Sequence, residues 1–290
     1  MVIEGGATNM EKLRTVLQDF ELEEAADQIL HFAKNSIRAK ATLTADAEIR
    51  MGHSKIGGAP DTPTDFVWPQ TKSGQPLYFL CQLNLAEIKP FDSNHLLPTE
   101  GLLSFFYDAV EQPWGYDPND EDGFHVFYFT QANFQRTEQP TTLKESINSA
   151  ALSFKNEWTL PSWESPDGQK LTALLTEEQA DAYDDFLWRD ETDITAHRID
   201  GYPNTIQGDM YLQCELVTNG LYCGNSTGYE HPLRKELEPN VKDWQLLLQL
   251  DSEDDLGYMW GDSGRLYFWI REQDCRNKAF DKVWAILQCY

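Results

Sequence analysis

Apolar positions in the first forty residues recur at intervals of three and four. Leu13, Val16, Leu17 and Phe20 make one set; Leu22, Ala25, Ala26, Ile29, Ala33 and Ile37 make a second, widened by Phe32. Such spacing puts each set on one face of a helix, so two successive helices are predicted, docked by that face on the body of the protein. A third helical signal starts at Thr176, where Thr-Glu-Glu-Gln matches a capping box: the Thr176 hydroxyl accepts from the amide three residues on and Gln179 reaches back. It runs through Ala180, Tyr183, Phe186 and Leu187 to about Arg189.

The remaining periodicity is mostly of strand type, and one order of signals occurs twice. Lys55-Ile56-Gly57-Gly58-Ala59-Pro60 precedes PLYFLCQLNL (76–85), EGLLSFFYD (100–108) and FHVFYF (124–129). Arg198-Ile199-Asp200-Gly201-Tyr202-Pro203 precedes WQLLLQLD (244–251), SGRLYFWIR (263–271) and VWAILQCY (283–290). Setting Gln82 against Gln249 matches Phe79, Cys81 and Leu83 to Leu246, Leu248 and Leu250, one apolar strand face in each. Setting Gly101 against Gly264 pairs Leu103, Phe105 and Tyr107 with Leu266, Phe268 and Ile270, the glycine being the turn residue that enters the strand.

An internal duplication is the expectation: a bend and three strands per copy. The second copy carries an insertion after Pro203 in which MYLQCELV (210–217) reads as a further strand. TLPSWESPDGQKL (159–171), crowded with turn formers, is the expected linker. The organisation is then N-terminal helices over 1–45, a first half over 46–158, and linker, helix and second half over 159–290, in one compact unit. The fold class is α+β, mostly antiparallel sheet built from an internal duplication, with N-terminal helices. In the stretch HRIDGYPNTIQGD (197–209), Gly201 and Pro203 then shape a bend, since glycine permits positive φ and proline fixes its own. Asp200, Gln207 and Asp209 are left as polar residues without a first-copy counterpart.

Composition narrows the partners more than the fold. A chain of 290 residues, 41% hydrophobic and 12% aromatic, can bury a core without staples. It has no apolar run of roughly 18 residues, and its start, MVIEGGATNMEKLR, lacks a signal-peptide pattern, so a cytoplasmic location is expected. Cys81, Cys214, Cys223, Cys275 and Cys289 show no C-x-x-C spacing and sit largely in apolar runs, as reduced, buried thiols do. With 23 Lys+Arg against 48 Asp+Glu the net charge is −25. That field repels phosphate backbones and anionic lipid, so neither nucleic acid nor membrane is an expected partner; a cationic partner is favoured, and solubility is the simpler use of the same charge.

Six ordered motifs carry a family resemblance: S-K-I-G-G-A-P, W-P at Trp68-Pro69, P-L-x-F-L-x-Q-L-N-L, L-P-x-x-G-L-L-x-F-F-Y-D, G-Y-P-N-x-I-Q-G-D and W-G-D-S-G-R-L-Y-F-W-I. Together they resemble the YwqG-like family, a bacterial domain of unknown function, from the first helix to Tyr290. The resemblance implies an α+β fold and no established catalytic residues. Because members are encoded near secreted polymorphic toxins, it also implies an immunity or interaction role.

Several chemistries suggested by the letters have plainer explanations. Zinc on Cys214, Cys223 and His231 lacks the close ligand pairs of a structural site, and buried cysteine explains the same residues. Calcium on YDPNDEDG (116–123) fails because Asp122 and Tyr128 stand where an EF-hand loop needs glycine and glutamate. KIGGAP lacks the phosphate-loop pattern. Ser263 in WGDSG lacks the nucleophile-elbow spacing, and a turn in which Asp262 accepts backbone amides accounts for those letters. No metal and no cofactor is expected. His197, Gln207, Asp209, Trp260 and Asp262 form the remaining cluster: a histidine beside carboxylates can do acid–base work, with His197, Asp209 and Asp262 as the catalytic candidates. Alternatively they bond the backbone of the bend.

The leading expectation is a non-catalytic protein that sequesters a cationic toxin domain. The loop 111–123 would make the contact, with Trp114, Tyr116 and Trp163 as anchors and Asp117, Asp120, Glu121 and Asp122 as charge. The competing expectation is an enzyme or small-ligand binder using a cleft around His197, Asp209 and Asp262.

Overall fold

The computed structural model describes residues 7–130, 133–188 and 196–290. The helices α1 (Ala7–Gln18) and α2 (Ala26–His31) precede the first strand. The strands are β1 (Lys34–Leu43), β2 (Lys55–Ile56), β3 (Asp61–Thr62), β4 (Tyr78–Asn84), β5 (Leu102–Tyr107), β6 (Phe124–Phe129), β7 (Gln135–Arg136), β8 (Ala150–Thr159), β9 (His197–Ile199), β10 (Trp244–Asp251), β11 (Arg265–Arg271) and β12 (Trp284–Gln288). Among the helices that interrupt them are α3 (Leu85–Ile88), α4 (Pro166–Thr172), α5 (Glu177–Trp188) and α6 (Tyr211–Thr218).

Ten strands form one antiparallel sheet in the order β12-β11-β10-β9-β1-β8-β2-β4-β5-β6, while β3 and β7 pair separately. β1 and β8 run side by side at the centre, from Lys34 opposite Thr159 to Leu43 opposite Ala150. β9 joins β1 with Ile37 opposite Ile199, and β2 joins β8 with Ala150 opposite Ile56. The sheet curls on itself into a nearly closed barrel. The Phe105 and Phe268 rings meet across the interior at 5.1 Å, and the edge strands β6 and β12 approach through Phe124 and Trp284, also at 5.1 Å. The free edge of β12 is covered by a loop: the Leu287 amide donates to the Trp114 carbonyl (3.2 Å) and the Trp284 indole N–H to the Gly115 carbonyl (2.8 Å). Covering an edge in this way blocks unwanted strand pairing.

The main core fills the barrel and extends beneath α6, with Leu83, Phe105, Leu250, Leu266 and Phe268 among its fully buried members. A second cluster packs the helices on the outside: Leu13, Leu17, Ile29, Leu171, Tyr183 and Phe186 meet Trp158 and Leu160. A third, aromatic cluster joins Phe79 and Phe106 to Phe66, Trp68 and Phe127. The α5 capping box forms, the Thr176 amide donating to Gln179 Oε1 (3.1 Å) and the Gln179 amide to Thr176 Oγ1 (3.2 Å). Arg189, the expected end of that helix, lies outside the described residues.

Four sequence expectations are corrected. Ile37 belongs to β1, not to a second helix, which ends at His31; Ile37, Ala39 and Ala41 also alternate at period two, and pairing on both sides decides for strand. MYLQCELV is the helix α6, started by Asp209, whose Oδ2 accepts from the Tyr211 amide (3.1 Å). The expected linker contains α4, capped by Ser165. Phe79 and Cys81 do not share a face: a bulge between them puts Phe79 opposite Phe106 and Cys81 opposite Phe105. An identical bulge separates Leu246 from Leu248, because one extra residue inverts the alternation.

Candidate functional site

The bend that begins at Arg198 is built into the centre of the sheet. Asp200 and Gly201 take successive left-handed conformations (φ 59° and 78°). At Gly201 a Cβ would lie 2.6 Å from Ser36 Cβ and 2.7 Å from Thr159 Oγ1, so only glycine fits. The Ser36 hydroxyl donates to the Asp200 carbonyl (2.8 Å) and the Tyr202 amide to Thr159 Oγ1 (2.9 Å). The Asp200 carboxylate accepts from the Gly201 amide and from Asn94 Nδ2 (2.7 Å), yet burial pushes its pKa up to about 6.

Beyond Pro203 the chain is tied down from beneath. Gln249 of β10 accepts from the Asn204 amide (2.8 Å) and donates to the Ala196 carbonyl (2.6 Å). Gln288 of β12 accepts from the Ile206 (2.9 Å) and Gln207 (3.1 Å) amides and donates to the Gly208 carbonyl (3.0 Å). The Tyr267 hydroxyl and Arg265 Nη1 both donate to the Asn204 carbonyl, and Glu164 accepts from the Asp209 amide (3.0 Å). The loop's backbone polarity is thus spent on the sheet, which fixes its position.

Between this loop, the segment 159–164 and the end of α5 lies a cleft of about 540 Å³. Trp163, Trp188 and Tyr290 border it and are 51%, 70% and 74% exposed. Two guanidiniums reach it from below, that of Arg198 buried and that of Arg265 partly buried. Arg198 pairs with Glu157 (3.0 Å), which also takes Arg38 (2.8 Å), and Arg265 pairs with Asp251 (3.1 Å).

The bend at Lys55 makes matching bonds. Gly57 and Gly58 are left-handed (φ 61° and 68°), and Gln82 accepts from the Asp61 amide (2.9 Å) and donates to the His53 carbonyl (2.7 Å). Lys55, fully buried, bonds Asp46 (2.6 Å) and the Ala59 carbonyl; burial, more than these partners, sets its pKa below the usual lysine value. Here the outer face is occupied by aromatic rings, Phe66 lying 5.8 Å from Phe106 and 5.1 Å from Phe127.

Each of the catalytic candidates has its own partners. His197 is buried, its Nε2 on Glu253 (2.8 Å) and its Nδ1 accepting from the Asp251 amide (3.1 Å). Asp209 starts α6, and its carboxyl is pushed up to about 7, by burial first and then by the charge of Glu164. Asp262 is exposed on a turn, where its main-chain carbonyl, rather than its side chain, accepts from the Tyr290 amide (3.1 Å). Trp260 is buried against Tyr107 (5.6 Å). Gln207, exposed, lines the cleft together with Trp163. Among the described residues no group of three or more His, Cys, Asp or Glu side chains is placed to hold a metal ion, and all five cysteines are free and buried.

The loop 111–123 does gather its predicted residues. Trp114 lies 6.5 Å from Tyr116, and Tyr116 lies 5.6 Å from Tyr222, which sequence reasoning missed. Much of the loop's acidity is engaged internally. Asp117 accepts from the Asn119 amide (2.9 Å) and Asp120 from the Gly115 amide (2.8 Å), the Asp120 carboxyl raised by burial. Glu121 pairs with Lys72 (2.8 Å), whose amide donates to Asp122. Glu164, Asp184, Trp188, Arg265 and Tyr290 of the cleft were also missed.

Against known families, the model of a domain of unknown function, DUF1963, matches residues 54–289, a span that holds both bends and the strands beyond each. The chain belongs to the DUF1963 family. The DUF1963 match starts at Ser54, so α1, α2 and β1 lie outside it, and it is shorter than the span expected from the motifs. A search of curated proteins finds no match. Among the described residues no helix is long and apolar enough to cross a membrane.

Proposed function

We propose that this DUF1963 chain is a non-catalytic cytoplasmic interaction protein of the immunity type, which binds a cationic protein domain. The observation that carries the reading is the ring row Trp114, Tyr116 and Tyr222 on a fastened backbone. Trp114 holds the Leu287 amide, the Tyr116 carbonyl accepts from the Cys223 amide (2.8 Å), and a Cβ on Gly115 would collide with the Ala285 carbonyl. Exposed aromatics that need no ordering are efficient anchors. The exposed carboxylates of Glu111 and Glu121 border the row, and the net charge of −25 speeds encounter with a basic partner.

The first partners to assay are basic toxin domains encoded beside the gene, by calorimetry at about 50 and about 300 mM salt. Binding weakens with salt, and Trp114→Ala and Tyr222→Ala each lower affinity about ten-fold or more. No binding, or binding indifferent to salt and to both substitutions, removes the proposal.

We further propose that the two halves descend from one duplicated unit and that within DUF1963 the chain is related to the YwqG-like group. The duplication is supported by the sheet order, which reads alike outward from β8 and from β1, by the shared bulges, and by the matching bonds of Gln82 and Gln249.

A further inference from the structure

The cleft beside residues 204–208 is lined by none of the ring-row residues, and its chemistry is different. From it we infer that the protein binds a short neutral oligosaccharide there. Its volume of about 540 Å³ falls within the range of small-ligand sites, roughly 300–1,000 Å³. Three aromatic side chains, Trp163, Trp188 and Tyr290, stand around it more than half exposed. The negative face of such a ring attracts the polarised C–H groups of a sugar ring, and burying both surfaces adds to this.

Charge selects against anions. Among the described residues, the charged side chains that line the cleft are Arg198 and Arg265 against Glu164 and Asp184, two of each sign, in a molecule of net charge −25. An anion meets the repulsion of the whole molecule, whereas a neutral, polyhydroxylated guest does not. It finds instead the exposed side-chain carboxamide of Gln207, a donor and an acceptor side by side. Asp184 Oδ1 is buried and has no hydrogen-bond donor among the described residues, a deficiency that a ligand hydroxyl would correct.

The site is also preformed. Gln249, Gln288 and Tyr267 hold the loop in place from the sheet, so little ordering remains for a ligand to impose. At the corresponding place beside Lys55 the rings of Phe66 and Trp68 lie on Phe106, so the half-molecules differ where a ligand would sit.

The test titrates the full chain with maltotriose, cellotriose and triacetylchitotriose, following tryptophan fluorescence, with spermidine and trigalacturonate as cationic and anionic comparisons. At least one neutral trisaccharide saturates with a Kd of about 1 mM or below, unchanged between about 50 and about 300 mM salt. Trp163→Ala and Trp188→Ala each weaken it about ten-fold; both positions are exposed, and circular dichroism checks that the variants fold. The inference is overturned if none of the three sugars saturates by about 20 mM, a regime too weak to reflect a built site. It is overturned equally if spermidine or trigalacturonate binds more tightly than every neutral sugar, or if both tryptophan variants bind as the parent does. None of these outcomes bears on the ring row, whose partner assay is separate.

Discussion

Gln249 is the residue on which the second bend depends, and replacing it isolates that dependence. Gln249→Leu keeps the side-chain volume on β10 but leaves the Asn204 amide without its acceptor (2.8 Å) and the Ala196 carbonyl without its donor (2.6 Å). The side chain is completely buried, so water does not replace what is lost. An orphaned buried donor or acceptor costs about 1–3 kcal/mol, so the pair costs about 2–6 kcal/mol. At about 2 °C per kcal/mol for a chain of this size, the melting temperature falls by about 4–12 °C. Urea unfolding followed by circular dichroism and tryptophan fluorescence measures the loss. Gln82→Leu strands the Asp61 amide and the His53 carbonyl in the other half and costs a similar amount. Gln245→Leu, on the same strand but partly exposed, serves as the control and changes stability by less than about 0.5 kcal/mol. A Gln249→Leu variant within about 0.5 kcal/mol of the parent refutes the claim that these bonds hold the bend.

Two further outcomes follow from the buried charges. Glu157→Gln removes the carboxylate that Arg38 and Arg198 share in the middle of the sheet and destabilises by about 3–5 kcal/mol in urea unfolding, whereas Arg14→Ala, which breaks the exposed pair with Asp27, costs at most about 1 kcal/mol. Asp209 and Asp200, with pKa values raised to about 7 and about 6, keep protons in the folded chain that the unfolded chain releases near 4. Stability therefore falls as pH rises from about 4 to about 7 and then levels, and Asp209→Asn makes that decline shallower; melting temperatures across this range that fall equally in parent and variant refute the assignment.

Strands marked by a compact apolar run were legible in the sequence. WQLLLQLD is β10 residue for residue, and FHVFYF is β6. The two central strands were not. β1 was absorbed into a helical stripe because Ile37 fits both periods, and β8 was passed over although Leu152, Phe154, Asn156 and Trp158 alternate with Ser153, Lys155 and Glu157. One of its polar members, Glu157, is buried by pairing with Arg38 and Arg198, which lie far away in sequence. The bend was legible because Gly201 and Pro203 carry their own conformational constraints. The cleft beside it was not, because Trp163, Trp188, Gln207 and Tyr290 come from separate segments and converge only when the sheet has formed. The acidity of 111–123 was plain from composition, but not that Asp117 and Asp120 bond their own loop.

The placement of β1 at the sheet's centre has a kinetic consequence. β1 leaves the ribosome well before its partner strands; the Ser36 to Asp200 bond alone spans 164 positions. Loops that long close slowly, and chains dominated by such distant pairings fold on slow timescales. The nascent β1 therefore waits with both ladders unsatisfied, and the acidic repulsion between neighbouring chains guards it against cross-chain pairing until β8 and β9 arrive.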